Sequence, residues 1–188
     1  MNVEKPIPWY IVYRKIALHL QVFYKKHGAD SGAVLYKKCL SSRKYNELNK
    51  WLLNVKQSRI HTLEPIQIFV SFNRSRQKEN ERLEIINQVA LLIGMRISWW
   101  TINFEGCPTP VALKLQYVRP ENEQLRIWQV FDNLVINGKK ALTNEIWEEA
   151  KAWRGIQIPS FTIFLFWINS KHFLPLDKNT RQYLEARN

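Results

Sequence analysis

The sequence predicts a mainly α-helical single domain of about seven helices, with a small β or irregular insert near residues 97–118. Three observations predict it. Apolar residues recur at three- and four-residue steps through most of the chain, as at Trp9, Tyr13, Ile16, Leu20 and Phe23. An uncharged apolar block runs from Ser160 to Asn169, too short for the roughly 20 residues of a membrane span and suited to the centre of a fold. Between residues 97 and 118 the helical spacing lapses into Ile97-Ser98-Trp99-Trp100-Thr101-Ile102 and then Gly106, Pro108 and Pro110.

Residues 8–27 read as the first amphipathic helix. Pro8 suits its first turn, Lys25, Lys26 and His27 suit the negative end of its dipole, and Gly28 suits the position after it. Residues 31–40 form a short helix. A second amphipathic helix covers about 42–55, with Tyr45, Leu48, Trp51 and Val55 on one stripe. The run 66–72 fits either a β-branched and aromatic strand or a helix opened by Pro65. A polar basic turn, 73–78, leads into a helix ending at Ile93 and closed by Gly94.

The insert reads as a small hairpin or an irregular loop. A helix follows over 122–137, with Leu125, Trp128, Phe131 and Val135 in register. Thr143 caps another through Trp153, because its hydroxyl can accept the free N–H groups of the first turn. After the apolar block comes an extended connector stiffened by Pro175. Asp177 then sits where a helix N-cap belongs. No repeat or linker divides the chain.

Net charge is +12, from 28 Lys and Arg against 16 Asp and Glu. Such an excess favours polyanionic partners, chiefly nucleic acid. Two cysteines in a chain of 188 residues fit a reducing compartment, and Met1 to Pro6 lacks the apolar core of a signal peptide. These features point to a cytoplasmic protein with no membrane partner.

Catalytic patterns are weak. Asn137-Gly138-Lys139-Lys140 lacks the upstream glycine of a phosphate cradle. The histidines, His19, His27, His61 and His172, lie too far apart in sequence to suggest a local metal site. Asp132 with Glu149-Ala150-Lys151 superficially matches a metal-dependent nuclease, but that chemistry wants the carboxylates on adjoining strands and these lie in helical patterns. The sequence therefore points to a non-catalytic module with no cofactor and no metal.

Three places carry a resemblance. Glu64-Pro65-Ile66 leading to Phe72-Asn73-Arg74 resembles an Asp-Pro-Phe…Phe-Asn-Arg signature. Phe104-Glu105-Gly106-Cys107-Pro108 resembles Phe-x-Gly-Ile-Pro. Trp167-Ile168…Phe173-Leu174-Pro175-Leu176-Asp177…Arg181-Gln182-Tyr183 resembles Trp-Ile-x-Pro…Phe-Leu-Pro-Leu-Asp…Arg-x-Tyr. Together they are similar to the region preceding the AAA+ NTPase module in McrB-type, modification-dependent restriction systems, and Ile7-Pro8-Trp9-Tyr10 fits the start of that region. Glu64, Ile66, Cys107 and Ser170 depart from the pattern. The resemblance implies the N-terminal piece of a larger defence protein, a sensor or target-recognition domain upstream of an NTPase motor and a partner nuclease.

The candidate DNA contacts follow. Arg74, Arg76, Lys78 and Arg82 cluster at a helix start beside Asn73, where side chains and backbone N–H groups together suit phosphate. Lys171, Lys178 and Arg181 surround the Asp177 helix start. The paired Trp99 and Trp100 offer stacking faces. The alternative is a protein–protein module docking a phage component or a partner subunit, with Trp99, Trp100 and Trp153 as anchors.

Overall fold

The computed structural model describes residues 5–54, 61–96, 101–109, 119–176 and 178–186. These residues form a mainly helical fold with one small two-stranded sheet. Among them, seven helices have nine or more residues and two are shorter.

Strand β1 (Ile7–Pro8) leads directly into helix α1 (Trp9–His27). One face of α1 is buried through Trp9, Val12, Tyr13, Ile16, Ala17, Leu20 and Phe23, the spacing of a single helical stripe. Gly28, at φ 57°, ends it and donates its N–H to Tyr24 O. Helix α2 (Ser31–Leu40) follows a short 3-10 turn. A second such turn, Arg43–Tyr45, precedes α3 (Asn46–Asn54). The expected helix over 42–55 thus starts later, because Ser42 Oγ accepts the Lys44 N–H and holds the chain in the tighter turn.

The ambiguous run is helix α4 (Pro65–Ser71), with Pro65 in its first turn and every residue buried. Gln67 reaches back to accept the Glu64 N–H at 3.1 Å, fixing the helix start. Helix α5 (Glu79–Leu92) ends before Gly94, whose φ is 77°. Strand β2 (Ile102–Asn103) falls inside the predicted insert, whose residues 97–100 and 110–118 lie outside the described residues. It pairs in parallel with β1, Ile7 opposite Ile102. A parallel partner needs a long crossover, here helices α1 to α5.

Helices α6 (Glu121–Asn137), α7 (Asn144–Ala152), α8 (Ile158–Ile168) and α9 (Lys178–Glu185) complete the order. Thr143 Oγ1 accepts the Ile146 N–H and caps α7. Helix α8 is the uncharged block and packs against α1, α4 and α7, so it is apolar on nearly all sides. Phe69 of α4 lies among Phe72, Phe164 and Trp167 at centroid distances of 5.5 to 6.5 Å. Tyr24 of α1 stacks on Trp128 of α6 at 5.5 Å. On its other side α1 packs on α2, which joins α3 and α5 in a second group.

Gly32 sits where α2 meets the segment leading into α4. Its carbonyl accepts the Leu63 N–H at 3.1 Å, and a Cβ there would collide with Thr62 Oγ1 and lie 2.7 Å from Leu63 O. Gly32→Ala is therefore expected to destabilise the fold by about 1–3 kcal/mol, read by chemical denaturation. Gly94→Ala, with open space around it, tests backbone conformation alone.

Candidate nucleic-acid interface

Two buried polar clusters frame the molecule. In the first, Arg82 of α5 points inward and is 5% exposed. Its Nε donates to Phe72 O at 3.0 Å, and its Nη2 donates to Asn73 Oδ1 at 2.7 Å and to Tyr13 OH at 3.0 Å. Nη2 also lies 3.1 Å from Cys107 Sγ, and the guanidinium carbon sits 4.0 Å from the Phe104 ring centroid. This buried cation has polar acceptors, a polarisable sulfur and an aromatic face in place of a carboxylate. Tyr13 OH donates in turn to Asn73 Oδ1 at 2.7 Å. Burial pushes the Tyr13 phenol well above its ordinary range and the Cys107 thiol up as well, so both stay neutral at pH 7.

Trp9, Phe72, Asn73, the 104–108 segment and Trp167 meet at or beside this cluster. Trp9 Nε1 donates to Glu105 O at 3.1 Å, and Trp167 Nε1 donates to Pro108 O at 3.2 Å. The 104–108 segment is thus pinned from α1 and from α8. Phe72 and Asn73 enter from the end of α4. In this structure the motif residues hold elements together.

The second cluster joins Glu64 to Arg119, both almost fully buried, in a direct ion pair. Arg119 Nε also lies 3.2 Å from Glu123 Oε1. Burial pushes the Glu64 carboxyl up to about 7 against the opposing pull of Arg119. A carboxyl raised in the folded state stabilises most fully below its unfolded value, near pH 4.5, and that contribution is lost as pH rises through about 7. Wild-type stability relative to Glu64→Gln is therefore expected to fall by about 2–3 kcal/mol between roughly pH 4.5 and pH 7.5 in urea titrations. A pH-independent difference contradicts this.

On the surface, the N-terminal half of α1 meets the turn after α8 in a cleft of about 480 Å³. Among the described residues it is lined by Tyr10, Ile11, Arg14, Lys15, Asn169, Ser170 and Lys171, with no carboxylate among them. Arg14 builds it. Nη2 donates to Val135 O at 2.9 Å and Nη1 to Ile168 O at 3.3 Å, so one guanidinium ties α1 to the C-terminal turns of α6 and α8. That contact offsets the negative ends of both helices. Gly138 packs beneath His172, which brings the turn bearing the exposed Lys139 and Lys140 beside the 169–172 turn. Tyr10 is 41% exposed at the cleft edge.

The structure redistributes the predicted contacts. Lys171 lies in the cleft. Arg76 and Lys78 are exposed on the turn before α5. Arg74 is half-buried, 3.6 Å from Glu81, in the arrangement of an ion pair onto the following helix. Arg82 is no surface contact, because its guanidinium is consumed inside the first cluster, and Asn73 is likewise buried. Trp153, predicted as an exposed docking anchor, is 5% exposed and packs edge-on against Phe161 at 5.7 Å. Trp99, Trp100 and Asp177 lie outside the described residues, as do the side chains of Lys178 and Arg181.

The nuclease-like residues are engaged separately. Asp132 pairs with Lys25 at 2.6 Å, Glu149 accepts Arg126 Nε at 2.9 Å, and Lys151 pairs with Glu148. Among the described residues no group of three or more His, Cys, Asp or Glu side chains is arranged to hold a metal ion, and no helix is long and apolar enough to cross a membrane.

Sequence reasoning missed Tyr10, Arg14, Lys15, Lys139 and Lys140. The signal for the last two was present in the Gly138-Lys139-Lys140 turn, a pair of cations directly after a helix end. No curated protein and no solved structure matches the chain. Over residues 9–188 it matches the family described as Domain of unknown function (DUF8425), and the chain belongs to that family.

Proposed function

We propose that this chain is a non-catalytic DNA-binding module that recognises a target for an McrB-like restriction or anti-phage NTPase. The observation that carries the reading is the cleft between α1 and the turn after α8, whose described lining holds Arg14, Lys15 and Lys171 and no carboxylate, with Lys139 and Lys140 beside it. Phosphates bind where cations converge, and Tyr10 supplies a ring for an unpaired base at the edge. The net charge of +12 steers the duplex or strand toward the surface. The motif resemblance supports an NTPase module and a partner nuclease as companions. Cytoplasmic action fits two cysteines that are both free thiols.

Titration of labelled single- and double-stranded DNA, modified and unmodified, across a salt series tests the reading. Three or four phosphate contacts give a log–log slope of about −3 to −4 on duplex DNA. Modification-dependent binding that persists near physiological salt supports target recognition. Absence of binding to every form at low salt overturns the reading.

A further inference from the structure

A second groove lies on the other half of α1, where its last turns meet α2 and the end of α5. It encloses about 430 Å³. Val22, Val34 and Ile93 contribute its apolar surface, and His19, Lys26 and Lys38 contribute basic groups. Val22 is 64% exposed, an unusual place for an aliphatic side chain between cations on a helix. Neither α1 nor α2 contains an acidic residue, so nothing on the two helices neutralises the rim. The groove is preformed, because Lys38 Nζ donates to Leu92 O at 2.5 Å and locks α2 to the last turn of α5.

We propose that this groove docks an acidic amphipathic helix of a partner protein, placing one or two of its apolar side chains against Val22, Val34 and Ile93 and its carboxylates against Lys26 and His19. The charge pattern selects an acidic partner. The aliphatic surface selects a protein over a nucleic acid, since phosphates gain nothing from Val and Ile, and the Phe23 ring in the lining is buried. Its volume suits a pair of anchors spaced i, i+4 on a helix. The DNA-binding cleft uses the opposite half of α1, so both ligands can be held together.

The test uses the full chain and a designed helical peptide of about 16 residues, with Leu along one face and Glu flanking it. Fluorescence anisotropy is expected to show saturable binding that weakens at least about ten-fold in Val22→Asp. Lys26→Glu is expected to weaken the Glu-flanked peptide and to strengthen a Lys-flanked version. Each substitution is expected to weaken binding of a DNA duplex of about 20 base pairs by no more than about three-fold, from general charge alone, since neither residue lines the other cleft. Three results overturn the proposal: equal binding of a peptide whose Leu residues are all Ser, no effect of Val22→Asp, or loss of duplex binding in both variants.

Discussion

Asn73→Ala is expected to destabilise the protein by about 3–5 kcal/mol, lowering the melting temperature by on the order of 10 °C. Asn73 Oδ1 accepts from both Tyr13 OH and Arg82 Nη2, and its Nδ2 donates to Phe69 O at 2.7 Å. Truncation leaves a buried cation short of its shortest acceptor and frees a backbone carbonyl at the end of α4. Water cannot readily replace them, since Asn73 and Tyr13 are fully buried. Thermal and urea unfolding measure the loss. DNA affinity of the folded variant is expected to be unchanged. Arg82→Ala belongs to the same class. A stable Arg82→Ala protein that no longer binds DNA would return Arg82 to the phosphate-binding role predicted from sequence.

The triple reversal Lys139→Glu, Lys140→Glu, Lys171→Glu is expected to reduce DNA affinity at least about 100-fold, or about 3 kcal/mol. All three side chains are exposed, so the melting temperature is expected to stay within about 2 °C of wild type. The effect combines the removal of three phosphate-binding cations with introduced repulsion beside Lys15. The matched control is Arg76→Glu, Lys78→Glu on the turn before α5. These two cations belong to the sequence-predicted cluster but lie outside the α1 cleft lining. A smaller loss is expected there, on the order of 10-fold from general charge alone. Electrophoretic mobility shift or anisotropy at one salt concentration ranks the two.

What the sequence discloses depends on how each element meets water. The stripe Trp9, Tyr13, Ile16, Leu20, Phe23 is legible because α1 has one wet face and one dry one. The Thr143 cap and the glycine after α6 are legible because helix ends need particular chemistry. Residues 66–72 stay ambiguous because α4 is buried on every side, and complete burial erases the period that separates helix from strand. The pairing of β1 with β2 leaves no mark, since two-residue strands carry no alternation.

Charge alone misassigns Arg82. It shares a stripe with Ile85, Ile86 and Val89, all buried, at steps of three, four and seven residues. That spacing already places it on the dry face of α5, where an arginine must find internal acceptors. The cleft is out of reach for a different reason. Residues 10–15 and 169–171 meet only through the packing of α1 on α8, and Lys139 and Lys140 arrive through Gly138 against His172. Only the Lys171 side of that surface is visible in a local stretch of sequence.

The salt dependence of duplex binding, measured in parallel for wild type and the Lys139, Lys140, Lys171 triple variant, tests the central claim most directly. Each phosphate that the protein no longer neutralises lowers the slope of log K against log salt by about 0.9. If these lysines hold the backbone, the magnitude of the slope falls by about 2.7 in the variant while the fold is retained. An unchanged slope with wild-type affinity would contradict DNA binding at the α1 cleft.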